Sequence, residues 1–233
     1  MNDISNNRYF VLLKKKKISF QVLDSMNIVI FKKEALIENY SIDNIYFLTE
    51  KFLNKNIFEI EKNLKSFIKE IYIIFESDFF FEAGSSIKYT IQKTNFIYDN
   101  INDILLEMKN QFKKFSSRNE IIHMVVDKYI LDGYTYETLP EIDHNKNLVI
   151  QANFICLNEE ITKNFKKIFS KYQISVNKIL SYNFLKSVVS EENNNILKLA
   201  NDSINGLIKN EILIINKISK NPGFFERFFN FFN

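Results

Sequence analysis

The sequence is poor in the residues that most often build reactive sites. Its 233 residues include one cysteine, two histidines, four glycines, two prolines and no tryptophan. One cysteine, Cys156, excludes an internal disulfide, and its apolar setting "NFICL" reads as a buried, inert thiol. The histidines, His123 and His144, have no cysteine or histidine companion at ligand spacing, which excludes a zinc site. The glycines, at 84, 133, 206 and 223, are all isolated. Phosphate-cradling loops need clustered glycines so that backbone can approach the phosphates, and none can be built here. A strong charge bias is also absent. With 31 basic and 28 acidic residues the net charge is +3, which argues against a nucleic-acid binder. No run reaches the ~20 apolar residues that span a bilayer. The apolar stretch "IYIIFESDFFF" is short and carries Glu76 and Asp78. The opening "MNDISNNRYF" is polar and has no signal-peptide core, so a cytoplasmic location is expected.

What is abundant is Ile, Lys, Asn and Phe, the residues of AT-rich codons, so a single Lys or Asn carries no functional signal. The length suffices for a sizeable core. "RYFVLL", "ISFQVLD" and "MNIVIF" read as three short strands with tight connections. The stretch 58–70 carries a helical stripe at 58, 60, 64, 67 and 68 and runs into "IYIIFES", a buried strand. Residues 84–174 read as strand, helix, strand, strand, helix. Within them Asn100 or Asn102 caps the first helix, Asp132-Gly133 makes a turn, and Glu159-Glu160 open the last helix. "SVNKILSYNFLKSVV" gives a strand and a short helix, "EENNN" is a polar break, and "ILKLANDSINGLIKNEILIINKI" is helical or mixed with an interruption at Gly206. The class is α/β (α+β).

"IIHMVVDKYILDGY" resembles the signature of the bacterial cell-division protein family FtsA, which is actin-like. A strand with a histidine leads to an aromatic residue and an Asp-Gly turn, here His123, Tyr129, Asp132 and Gly133. Pro140 and the apolar "NLVIQANFI" follow in the family's order, and "FIYDNINDILLEM" and "SVNKILSYNFLKSVV" resemble flanking segments. The resemblance implies a truncated actin-like body. Residues 8–83 with 175–215 would form a 1A-like subdomain, 84–174 a 1C-like inserted subdomain, and 216–223 a linker to a helix over 224–233. It also implies where nucleotide should sit, and there the sequence departs from the family. In "LLKKKKI", Leu12 stands for the metal-side Asp, Lys14 for the Gly and Lys15 for the Thr of the first phosphate turn. Lys14 to Lys17 then read as a solvated turn between strands. The family's second large domain has no room after residue 190. A degenerate member without nucleotide binding or hydrolysis, and with no cofactor, is expected.

The chain closes on "NPGFFERFFNFFN". On a helical wheel Phe224, Phe225, Phe228, Phe229, Phe231 and Phe232 fall within an arc of about 160°, with Glu226, Arg227, Asn230 and Asn233 opposite. A helix this short is unstable alone and needs its face covered. At about 1.5–3 kcal/mol for a fully buried Phe, six partly buried rings supply roughly 5–10 kcal/mol, less the ordering cost. That suits reversible attachment in the plane of a membrane. The expectation is a non-enzymatic, FtsA-like adaptor, peripheral on the inner face of the cell membrane. Its partners would be division proteins, FtsZ or late divisome components, and not nucleic acid. The rival is a protein-interaction domain whose Phe-rich end packs on its own core or in a partner's groove.

Overall fold

A computed structural model describes residues 7–91, 99–141, 146–188 and 195–213. The Phe-rich segment 224–233, the linker 216–223, His144 and residues 191–194 of the "EENNN" break lie outside the described residues. The described chain forms two sheets and five helices.

The first sheet holds β1 (Arg8–Lys14), β2 (Lys17–Leu23), β3 (Val29–Leu36), β4 (Glu70–Phe75) and β9 (Ser175–Ser181), in the order β3-β2-β1-β4-β9. β1, β2 and β3 form an antiparallel meander, while β4 runs parallel to β1 and β9 parallel to β4. The carboxyl ends of β1, β4 and β9 therefore lie at one edge of the sheet. β1 and β4 are buried on both faces, the physical reason they read as continuous apolar runs. Val11, Leu13, Ile73 and Phe75 enter a core beneath α1 (Ile42–Leu64) and α3 (Glu159–Ser170). Phe10, Leu12 and Ile74 enter a second core beneath α4 (Tyr182–Ser187) and α5 (Ile196–Ile204).

The second sheet holds β5 (Phe81–Thr90), β6 (Asn119–Leu131), β7 (Tyr134–Tyr136) and β8 (Asn147–Asn158), antiparallel in the order β5-β8-β6-β7. Its core lies under α2 (Asp99–Phe115), where Ile104, Leu105 and Met108 meet Ile150, Ala152 and Phe154. β6 and β7 are joined by Asp132 and Gly133 alone. Both have positive φ, 49° and 91°, the conformation that tight hairpins demand and that an Asp-Gly pair supplies.

Two local readings change, at α1 and at the start of α2, and the interruption expected at Gly206 is present. The helix expected over 58–70 begins at Ile42 and ends at Leu64. Ser41 caps its start by accepting from the Asn44 N–H, and Lys65 ends it in the left-handed conformation, so 67 and 68 fall beyond it. Its buried stripe is Ile45, Thr49, Phe52, Leu53, Asn56 and Ile60. Phe58, whose apolar character suggested the stripe, is exposed. α2 starts at Asp99, which leaves Asn100 and Asn102 inside the helix rather than at its cap. The segment from Ile196 is helical only to Ile204; Gly206 then adopts φ 71°. Asn158 caps α3 by accepting from the Glu160 N–H, with Glu159 and Glu160 in the first turn as expected.

Phe165 of α3 is wholly buried, with its ring centroid 5.3 Å from Phe75 and 5.1 Å from Tyr46, both edge-on. Phe165→Ala should cost about 3–5 kcal/mol, measured as a lower urea midpoint at an unchanged slope.

Candidate functional site

In open sheets with parallel strands, ligands bind where the strands' carboxyl ends meet. Here that edge is made by the turn Lys14–Lys17, the segment Glu76–Asp78 after β4, and Ser181–Tyr182 after β9. β1 and β2 pair up to Lys14 and Lys17, so Lys15 and Lys16 alone make the turn. The Lys14 ammonium donates to the Tyr182 hydroxyl at 3.2 Å and lies 4.4 Å from the centre of its ring. The Lys15 N–H donates to Glu76 Oε2 at 3.3 Å, and its ammonium pairs with Asp78 at 2.8 Å. That hydrogen bond to Asp78 holds the Lys15 ammonium above its ordinary pKa. Lys17 pairs with Glu34 at 2.8 Å, and together with Lys32 holds that carboxyl below its usual range. Tyr40 braces the edge by donating to the Glu76 carbonyl at 2.8 Å. The turn between the strands is solvated as expected, with Lys15 and Lys16 exposed, and its ion pairs lie at the surface. Leu12, which the sequence resemblance sets against a metal-side carboxylate, is a core side chain packed with Phe10, Ile74 and Leu180.

A second site joins the two sheets. His123 of β6 is 2% exposed. Its Nε2 accepts from the Ser181 N–H at 2.9 Å, so Nδ1 must carry the ring proton, and it donates to Glu211 Oε1 at 2.7 Å. Ser203 of α5 donates to the same Glu211 oxygen at 2.9 Å, and the Lys178 ammonium lies 3.6 Å from it. The His123 ring lies 4.2 Å, centre to centre, from Phe184. Glu211 is brought there because 207–213 runs beside β6: the Val126 N–H donates to the Asn210 carbonyl at 2.9 Å, and the Ile212 N–H to the Met124 carbonyl at 2.8 Å. Burial pushes the His123 pKa down by more than Glu211 pulls it up. Burial pushes Glu211 up, but His123, Lys178 and Ser203 together hold it below the usual carboxyl range. The second carboxylate oxygen of Glu211 is buried without a hydrogen-bond partner among the described residues. Histidine, carboxylate and serine stand together, yet both ring nitrogens are engaged and no face of the ring opens to a substrate. The cluster fastens β6, β9, α5 and the 207–213 segment to one another.

Among the other residues singled out in the sequence, Tyr129 is buried in the core of the second sheet and Pro140 is half-buried beyond β7. Asp132 is held low in pKa by the Asn147 N–H, 3.0 Å away, and then by Lys146 at 2.9 Å. Cys156 is fully buried, and burial pushes its thiol up to about 11, an inert group. No three His, Cys, Asp or Glu among the described residues are grouped to hold a metal. Sequence reasoning missed Glu211 and Ser203. The available signal was a lone carboxylate among Leu207, Ile208, Ile212 and Leu213, the counterpart of the lone histidine in "IIHMVV". A polar cleft of about 670 Å³ lies at the opposite end of β1, where Arg8 donates to Asn201 and, at 2.8 Å, to Asn205. Asn201 in turn donates to Asn27 at 2.7 Å. Its arginine is thus engaged by the protein's own amides.

No protein-family model matches the chain, and no curated protein matches it. Solved structures do. The chain is similar to the cytoplasmic domain of EpsL, an inner-membrane component of the type II secretion system of Vibrio cholerae. The identity is 8%, over 80% of this chain and 61% of that one, with a TM-score of 0.37. It is similar to a Bacteroides thetaiotaomicron protein of unknown function with an actin-like ATPase fold, at 12% identity over 80% and 58% of the two chains and a TM-score of 0.33. It is also similar to the PilM-PilN type IV pilus biogenesis complex, at 5% identity over 76% and 48% and a TM-score of 0.43. The chain spans about half to three fifths of the length of these structures. None of the three is described as an FtsA. The α/β class expected from the sequence is what the structure shows. No described helix is long and apolar enough to cross a membrane.

The His123 node has a pH signature. A histidine whose folded pKa is depressed binds its proton more readily in the unfolded chain. Its contribution is therefore present above the unfolded pKa of about 6.5 and is lost as pH falls below it, at up to about 1.4 kcal/mol per pH unit. Urea midpoints taken at pH 7.5 and 5.5 should show this slope, and His123→Gln should be less stable at pH 7.5 and flatter between the two.

Proposed function

We propose that this protein is a non-enzymatic, actin-like adaptor that gathers protein partners at the inner face of a bacterial membrane, in the manner of a reduced FtsA. The observation that carries the reading is the closed carboxyl-end turn. A phosphate-binding turn needs backbone that can wrap an anion, and a metal-dependent one needs a carboxylate beside it. Here the turn is two lysines long, Lys15 is tied to Asp78 and Glu76, and the carboxylate position is a core leucine, Leu12. The His123 cluster, a grouping of catalytic residue types among the described residues, is spent on internal hydrogen bonds. What remains is a body with surfaces and a sequence ending in a Phe-rich amphipathic pattern.

Attachment would come from Phe224, Phe225, Phe228, Phe229, Phe231 and Phe232, with Arg227 beside them at the headgroups. One arginine against one glutamate makes the hydrophobic term dominant, so binding should depend weakly on salt. A weak anchor becomes firm when several bodies share one assembly. Division proteins, FtsZ among them, are the partner class that the FtsA resemblance suggests.

Two measurements test the reading. In liposome co-sedimentation the full chain should pellet and a chain ending at Lys220 should remain in the supernatant. If neither pellets and the shortened chain melts lower, the Phe-rich end belongs to the protein's own core and the adaptor reading fails. Calorimetry with Mg-ATP should give no saturable heat; saturable binding would overturn the non-enzymatic part.

A further inference from the structure

Among the described residues, β5 stands at one edge of the second sheet. Its hydrogen-bonded neighbour among the described residues is β8 alone, in an unbroken register from Phe81 to Thr90. Proteins blunt such edges with short strands, bulges, prolines or lysines. The other sheet edges here follow that practice. β7 is three residues long, β3 carries Lys32 and Lys33, and the pairing of β9 with β4 slips between Ile71 and Tyr72. β5 is ten residues long, without proline or bulge, and its one lysine stands six positions from its one glutamate.

That spacing decides what fits the edge. Two copies of β5 can pair antiparallel about a two-fold axis normal to the sheet, which keeps each face on its own side. With the axis at Ser85, each residue meets the one equally far on the other side. Glu82 then stands opposite Lys88 of the second copy, and Lys88 opposite its Glu82. On the opposite face Phe81 meets Tyr89 and Ala83 meets Ile87. Gly84 meets Ser86, and Ser85 meets itself, so the crowded centre holds only small side chains. Moving the axis by one residue destroys the match. At Gly84 it sets Lys88 against Phe80, and at Ser86 it sets Glu82 against Thr90.

The faces agree with this register. Phe81, Ala83, Ser85, Ile87 and Tyr89 lie beside Cys156, Phe154, Ala152, Ile150 and Leu148 of β8, the apolar layer under α2. Phe81 ends that layer 40% exposed. A second copy would continue it. On the other face Gly84 and Ser86 lie beside Asn153 and Gln151 of β8, a polar surface on which the Glu82–Lys88 pairs would sit. We infer that β5 is a homodimerisation edge, on which a second copy of this chain adds its own β5 in the register centred on Ser85, joining two four-stranded sheets into one of eight. The inference does not rest on the membrane reading, since it uses no residue beyond 213.

A charge swap tests it on the full chain. Sedimentation velocity at up to about 100 µM should show the wild type moving from monomer to dimer. Glu82→Lys and Lys88→Glu each place like charges opposite one another in both pairs, and each should weaken the dimer at least about tenfold. The double variant E82K/K88E restores opposite charges and should dimerise again. An equimolar mixture of the two single variants should form only the heterodimer, because one chain then offers two lysines and the other two glutamates. Both side chains are exposed, and circular dichroism should confirm unchanged folding. A wild type that stays monomeric throughout overturns the proposal, as does a dimer indifferent to the swaps. A dimer lost in the single variants and regained in neither the double variant nor the mixture overturns the register.

Discussion

A single imidazole ties the described body together. His123 receives a hydrogen bond from the backbone of β9 and gives one to a carboxylate on the segment beyond α5. It therefore links the first sheet, the second sheet and the 207–213 segment through one ring. The ring can do this in one tautomer and one charge state only. A second proton would set an N–H against the Ser181 N–H, inside a site that water does not reach. The geometry and the depressed pKa of His123 have one cause, burial at a joint where every polar atom but one carboxylate oxygen is already engaged.

The same joint shapes what the protein can do. Once Ser181 is committed to His123 and Tyr182 to Lys14, the end of β9 is occupied by internal contacts. The end of β1 is tied to Glu76 and Asp78, and the end of β4 to Tyr40. Each of the three parallel strands thus closes its own carboxyl end, at the place where a sheet of this kind would open to a ligand. On the inner side Leu12 packs with Phe10, Ile74 and Leu180 in the core. At this end the described residues are held by contacts with one another. That is why its long unblunted strand, β5, and its Phe-rich end carry the functional reading.

Much of the architecture was legible in the sequence. The run "RYFVLL" marked a short strand and "IYIIFES" a buried one, and the Asp132-Gly133 pair marked a turn whose positive φ angles the structure displays. The amphipathic pattern of α3 and the inert setting of Cys156 were equally plain. Helix α1 was half read. Its apolar residues interleave with Thr49 and Asn56, polar groups that the stripe buries, and its stop at Lys65 depends on a backbone conformation that lysine does not announce.

Pattern and chemistry along the chain thus determined the α/β class, most strand and helix positions, the lack of a glycine-rich phosphate loop and the Phe-rich close. These follow from local propensity and periodicity, which act over a few residues. Tertiary structure alone decided that His123 meets Glu211 and Ser181, because those groups lie 88 and 58 residues away and no local signal encodes their distance. It alone decided that the lysine turn is fastened by Asp78, and that β5 rather than β8 stands at the edge of its sheet. Contacts of that kind depend on how sheets pair and stack, a property of the whole chain's burial and not of any one stretch.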